Sequence, residues 1–223
     1  MRSLWDRSTF VWAAVAVTCV AAGVVSLRTQ HPATSSRSES MYRTIASGGA
    51  ALSDSGIVVG DAAAPIRVVE FLDFECRWCR EMQPTLRQFL AERPGEVALV
   101  VRHLPLSRVG VALPFAIGAE CAAAQGRFAA FADLAFVAQD TLPLVDLAAL
   151  AKAAGVRDLP TFQRCRLANG TRERIFRDAR AAHSAGIFAT PTLVVGNRAL
   201  SGAATLEELR RWVDSDAAAN AKP

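Results

Sequence analysis

The chain has 223 residues, enough for one domain of good size with accessory segments. An apolar fraction of 52% supports a buried core, and 21% charged residues exclude a disordered chain. The net charge of +4 rests on scattered arginines with no RNP-like or finger motif, which argues against nucleic-acid binding and for a solvated basic surface.

Residues 10–27 carry no charge and are long enough, if barely, to cross a membrane as a helix. Arg2 and Arg7 precede them, so residues 1–9 are expected to be a cytoplasmic tail. Arg28, Arg37 and Arg43 follow and weaken that rule, leaving orientation to the chemistry downstream. A cleaved signal peptide is the rival reading, although Val25-Ser26-Leu27-Arg28 makes a poor cleavage site. Cys19 within the segment reads as a small apolar residue in lipid. Residues 28–55, rich in Ser, Thr, Gly and Ala, read as a flexible tether. They are too few for a dimerisation module, so a monomer is expected.

The main domain is expected at residues 56–215, with residues 216–223 as a tail. Ile57-Val58-Val59 suggests a short edge strand. Residues 66–72 are apolar on both faces, as in the buried centre of a sheet. A helix follows to about Glu92, with Pro84 inside it and a kink expected there. Residues 97–102 form the next strand and complete a βαβ unit. Residues 109–186 read as helical, punctuated by Gly118, Gly126, Gly155 and Gly170. Thr192-Leu193-Val194-Val195 and Ala199-Leu200 suggest a hairpin around Gly196-Asn197. Thr205 followed by Glu207-Glu208 opens a last helix, expected to end near Asp214.

At the junction of the central strand and the first helix lies Cys76-Arg77-Trp78-Cys79. Two thiols one turn apart at a helix start suit redox chemistry, because the free N–H groups and partial positive charge there favour a thiolate. Zinc sites share this spacing, but a second CxxC or His pair is missing, and placement after a strand favours the redox reading. The cysteine count of five leaves room for further pairing, which suits an oxidising compartment.

The order β, α, β, helical block, β, β, α resembles the thioredoxin fold, and the helical block makes the chain resemble the DsbA-like thiol oxidoreductases. The resemblance rests on Glu70-Phe71, Asp73-Phe74-Glu75-Cys76-Arg77-Trp78-Cys79, Pro84, Ala189-Thr190-Pro191-Thr192, and the run from Cys121 to Phe128 containing Gln125-Gly126-Arg127. It covers about residues 57–214. It implies an α/β fold with a central mixed sheet flanked by helices and an inserted helical domain, to which the sequence adds the N-terminal transmembrane helix. Arg77-Trp78 departs from the better-known Pro-His and Pro-Tyr pairs of the family, which leaves the redox potential open.

Cys76 is the expected nucleophile, with a pKa below the usual value of about 8.5, helped by Arg77 and Arg80 and opposed by Glu75. Cys79 is its buried partner. Glu70 would cost several kcal/mol if ionised and unpaired in a buried strand, so its pKa should rise. The resemblance implies that it exchanges a proton with Cys79, with Asp73 the lesser candidate and a solvent-facing Glu70 the alternative. The resemblance also implies a cis Thr190–Pro191 peptide facing the CxxC, with the Thr190 backbone pairing to an extended substrate. Arg77 and Trp78 are candidates to meet substrate beside the reactive sulfur, although a ring in a first helical turn is as often packing. Cys121 and Cys165 either form a structural disulfide, worth about 4 kcal/mol in the chain-entropy model, or remain two buried thiols. His103 and His183 read as surface or packing residues, Phe115, Phe128, Phe131 and Phe136 as core, and the charged run 171–180 as a solvated helix face.

These readings describe an extracytoplasmic thiol–disulfide oxidoreductase, anchored through residues 10–27 on the periplasmic or outer face of a bacterial inner membrane. It would introduce disulfides into exported proteins with free cysteines and be reoxidised by a quinone-linked membrane partner, DsbB- or VKOR-like. No cofactor or metal is expected. The alternatives are a membrane-tethered reductase or isomerase of the same fold, and a non-catalytic binding or chaperone module.

Overall fold

A computed structural model describes residues 42–45, 48–107 and 109–220. The expected anchor at 10–27, the tail before it and Cys19 lie outside these residues. Among the described residues no helix is long and apolar enough to cross a membrane.

Among the described residues six strands form one mixed sheet: β1 (Tyr42–Thr44), β2 (Ile57–Val59), β3 (Ile66–Leu72), β4 (Val97–His103), β5 (Thr192–Val195) and β6 (Arg198–Ser201). Their order is β1-β6-β5-β3-β4-β2. Only β3 and β4 run parallel, joined across helix α1 (Arg77–Glu92), and the remaining pairs are antiparallel. Five apolar residues, Val97 to Val101, followed by Arg102 and His103, make β4 a strand buried along its whole length. Gly196 takes a positive φ of 55° at the turn of the β5–β6 hairpin, which suits a residue without Cβ.

The two-residue period of β3 sorts its side chains between two cores. Val68 and Leu72 face the larger one, with Met82, Leu86 and Phe89 of α1 and Leu209, Trp212 and Val213 of the last helix. Val69 and Phe71 face the smaller, with Ile45, Leu52, Ala182 and Ile187. Glu70 shares the parity of Val68 and Leu72, so a carboxylate lands on the face that α1 covers.

Between β4 and β5 the chain is helical, as expected: α2 (Ala112–Ala123), α3 (Phe128–Val137), a 3-10 helix (Gln139–Leu144), α4 (Leu147–Ala153), α5 (Leu159–Leu167) and α6 (Asn169–Ser184). Phe115, Phe128, Phe131 and Phe136 are buried in it, and Phe74 packs among them from the active-site turn, 5.1 Å from Phe136 between ring centroids. α1 continues through Pro84, which lacks the N–H that would reach the Arg80 carbonyl but does not end the helix.

Two boundaries and one helix face differ from expectation. The tether read over 28–55 is structured from Tyr42: β1 pairs with the free edge of β6, and a 3-10 helix spans Ala50–Asp54. Polar composition masks two apolar anchors there, Ile45 and Leu52, both buried against the sheet. The last helix, α7 (Leu206–Asn220), passes the expected end at Asp214 and takes in part of the expected tail, with Asp216 buried. Its start is as read: Thr205 accepts from the Glu208 N–H, and Glu208 accepts from the Thr205 N–H, a reciprocal cap. The run 171–180 is only partly a solvated face, because Asp178 is buried. It pairs with Arg102 at 2.8 Å and accepts the His103 N–H at 3.1 Å, while Arg102 also donates to the Leu52 carbonyl. These bonds tie β4, α6 and the first 3-10 helix together.

Candidate active site

β3 ends at Leu72, and the next four residues turn the chain into α1. Asp73 shapes the turn, one carboxylate oxygen accepting the Glu75 N–H and the other the Leu106 N–H, both at 2.8 Å. Cys76 is the residue that caps α1, in an extended conformation, with its carbonyl accepting from the N–H groups of Cys79 and Arg80 at 3.1 and 3.3 Å. Its sulfur therefore stands at the mouth of the helix, half-buried, while Cys79 is fully buried one turn on.

The two thiols are driven apart. The Cys76 pKa falls to about 6: a hydrogen bond from the Cys79 thiol lowers it most, burial opposes, and the Thr190 side chain and the N–H groups of Cys79 and Trp78 lower it further. Burial pushes the Cys79 thiol well above its usual range, and the hydrogen bond to Cys76 and the charge of Glu70 add to this. Arg77 and Arg80, expected to help lower Cys76, face elsewhere. Arg77 pairs with Glu81 at 2.9 Å and lies over the Trp78 ring, and Arg80 pairs with Asp140. Glu75 also points away from the sulfur and accepts the Ala112 N–H, at the start of α2, at 3.0 Å. That approach needs Gly110, where any Cβ would collide with the Glu75 carboxylate.

From the far end of the domain, the loop before β5 brings a cis Thr190–Pro191 peptide to the sulfur, and the Cys76 thiol donates to the Thr190 carbonyl at 3.1 Å. The Thr190 hydroxyl is buried and makes no bond to the neutral thiol, but it is placed to donate to the Cys76 thiolate. Trp78 is 46% exposed beside Cys76.

Glu70 is fully buried in the central strand, flanked by Leu193 of β5 and Val101 of β4. One of its oxygens accepts from the Gln83 amide at 3.2 Å, and the other has no partner among the described residues. Burial is the main reason its pKa rises to about 8. Gln83 pulls it down, and the charge on Cys76 pushes it up. At neutral pH it is a protonated acid near two sulfurs. Cys121 and Cys165 lie away from this site, where a disulfide with sulfurs 1.98 Å apart joins α2 to α5.

The structure thus gathers Cys76, Cys79, Glu70, Thr190 and Pro191 in one place, with Trp78 at its rim and Arg77 turned outward. Two residues escaped the sequence reading. Gln83 follows Cys79 by four positions, and helical periodicity would have found it once Glu70 was placed under α1. Gln139 donates to the carbonyls of Phe74 and Cys76 at 2.8 and 2.9 Å, from a segment whose proximity no local pattern signals. His103, read as a packing or surface residue, is fully buried beside Phe74, its Nε2 3.7 Å from Glu120, and burial drops its pKa to about 3.

Comparison with known proteins agrees with this architecture. A thioredoxin-like oxidoreductase from Silicibacter pomeroyi superposes with a TM-score of 0.63 at 25% identity, over 74% of this chain and 92% of its own. The thiol-disulfide exchange protein α-DsbA2 from Wolbachia pipientis superposes with a TM-score of 0.63 at 19% identity, over 75% of this chain and 90% of its own. A protein named Na(+)/H(+) antiporter NhaA 3 from Salinispora tropica is 36% identical over 163 residues, and the chain spans about a quarter of its length. A family model described as Thioredoxin matches residues 52–215. With that match and this fold, the chain belongs to the thioredoxin family.

Proposed function

We propose that the protein is an extracytoplasmic thiol–disulfide oxidoreductase that donates its Cys76–Cys79 disulfide to exported proteins with free cysteines. The observation that carries this is the opposition between the two thiols: Cys76 stable as an anion at the helix mouth, Cys79 stable as a neutral thiol beneath it. A stable Cys76 thiolate is a good leaving group, which is what a disulfide donor requires.

In this mechanism a substrate thiolate attacks Cys76 Sγ and forms a mixed disulfide. The Cys76–Cys79 bond breaks with its electron pair on Cys79, and Glu70, protonated at neutral pH, supplies the proton. A second substrate thiolate then attacks the substrate sulfur of the mixed disulfide, and Cys76 leaves as thiolate. The substrate dithiol loses two electrons and the protein gains two. During the attack Thr190 offers its backbone to the extended substrate, and Trp78 offers an apolar surface beside the sulfur. A membrane quinone-linked oxidase would accept the electrons and restore the disulfide. An anchor at residues 10–27 would hold the domain outside the membrane. Ion transport is not carried over from the antiporters, since the chain spans only a quarter of their length.

The test is redox equilibration with glutathione and thiol trapping in cells. A protein mostly oxidised in cells, with a potential well above that of thioredoxin (about −270 mV), is the expected result. A mostly reduced protein near that potential would reverse the direction and make it a reductase or isomerase.

A further inference from the structure

We propose that Gln139, contributed by the helical insertion, is a positioning residue for the chemistry of Cys76: one amide group ties back the Phe74 and Cys76 carbonyls of the active-site turn and so holds the helix mouth with its donors toward the sulfur. The inference rests on the thiol–disulfide reading above and adds to it a residue outside the CxxC, the proline loop and the buried acid.

The geometry is specific. Gln139 Nε2 carries two protons, and its two bonds go to Phe74 O at 2.8 Å and Cys76 O at 2.9 Å, the carbonyls two residues apart that bracket the turn. The Cys76 carbonyl already accepts from the Cys79 and Arg80 N–H groups, so the amide adds a third donor to it. Both carbonyl oxygens carry partial negative charge next to a sulfur that must become an anion. Held by the amide, they cannot turn toward it. Without the amide the Phe74 carbonyl must find water or rotate and the Cys76 carbonyl keeps only its two helix donors, which loosens the conformation that presents Cys76 to the Trp78 and Cys79 N–H groups.

The amide is well anchored. The 3-10 helix that carries it is pinned by buried Leu142, and it directly follows α3, whose Phe136 packs on Phe74 of the same turn. Beside it the Glu75 carboxylate caps α2. The helical insertion therefore grips the turn from two elements, and Gln139 is the contact that reaches the nucleophile's own backbone.

The experiment titrates Cys76 in the reduced full chain by iodoacetamide alkylation between pH 4 and 9, in the wild type and three variants. Gln139→Met keeps the length and removes the donors. It should raise the alkylation midpoint by about half to one pH unit, slowing the reaction at pH 6 by about two- to fivefold. Gln139→Asn keeps an amide that can reach one carbonyl only, and should shift the midpoint by less. Thr141→Val removes a side-chain bond from the same 3-10 helix and should shift nothing. A Met variant with the wild-type midpoint overturns the proposal, as does an equal shift in Thr141→Val, which would assign the effect to the helix as a whole. Should the Met variant fail to fold, the Asn variant decides, and an unmoved midpoint there is equally fatal. Failure of the underlying reading has a separate signature, a wild type that cannot oxidise a dithiol peptide at all.

Discussion

Replacing Glu70 with Gln preserves the side chain's shape and a polar group for Gln83 but removes the charge. In the folded protein this carboxyl holds its proton up to about pH 8, whereas an ordinary glutamate releases it near 4.5. Between those values the folded state binds more protons than the unfolded chain, so stability falls as pH rises and levels off above 8. The ceiling on this loss is about 5 kcal/mol for so large a shift in a fully buried group. Two other groups must be separated from it. His103 has its folded pKa lowered to about 3, so it makes stability rise with pH up to its unfolded value of about 6.5, equally in both proteins. Cys76, lowered to about 6, adds stability to the reduced form as pH rises from about 6 toward its ordinary 9.0, an effect weakened by its exposure. Urea unfolding of the oxidised protein removes the Cys76 contribution and leaves the difference between wild type and Glu70→Gln to Glu70 alone. The two should be nearly equal at pH 4 and separate progressively to pH 8, with the variant more stable. At pH 7 the variant should also transfer its disulfide about a hundredfold more slowly, having no proton to give to Cys79. Parallel stability curves from pH 4.5 to 9 would refute the account of a buried, protonated acid.

Other consequences follow from the same geometry. In the wild type, Cys76 alkylation should titrate with a midpoint near pH 6 while Cys79 remains unreactive to pH 9, as read by mass spectrometry of labelled peptides. Gly110→Ala pushes the end of the Glu75 side chain off the Ala112 N–H, and should cost about 1 kcal/mol or less in urea while raising the Cys76 midpoint as the carboxylate leaves α2. Replacing both Cys121 and Cys165 with Ala opens a loop of 44 residues and should cost about 4 kcal/mol without altering the Cys76 titration. Asp178→Asn leaves Arg102 charged and buried, and should destabilise by about 3–5 kcal/mol, more than most surface changes on α6 could.

Much of this protein was legible from the chain alone, because the signals were local. Five apolar residues among the seven of 66–72, shortly before a CxxC, announce a buried strand feeding a redox helix. Alternation within 66–72 fixes which residues share a face, and Thr205 with Glu208 marks a helix start through bonds three residues apart. Each depends on neighbours along the backbone, so the spacing itself carries the information. Composition misled where a few apolar residues sat in a polar stretch: Ile45 and Leu52 hold residues 42–45 and 48–54 to the sheet, although Ser, Gly and Ala around them read as tether.

Tertiary structure decided the electrostatics of the site. Arg77 and Arg80 looked like the charges that would acidify Cys76, yet each side chain reaches a carboxylate instead, Glu81 and Asp140. Glu75 looked like an opponent and is turned aside onto α2 through the space left by Gly110. What favours the thiolate is the Cys79 thiol, two backbone N–H groups and Thr190, and the turn that presents them is held by Gln139, 63 residues away. A side-chain charge acts through distance and direction, and a sequence records neither. The chain specified which chemistry the site is built from, and the fold alone set which of those groups the sulfur meets.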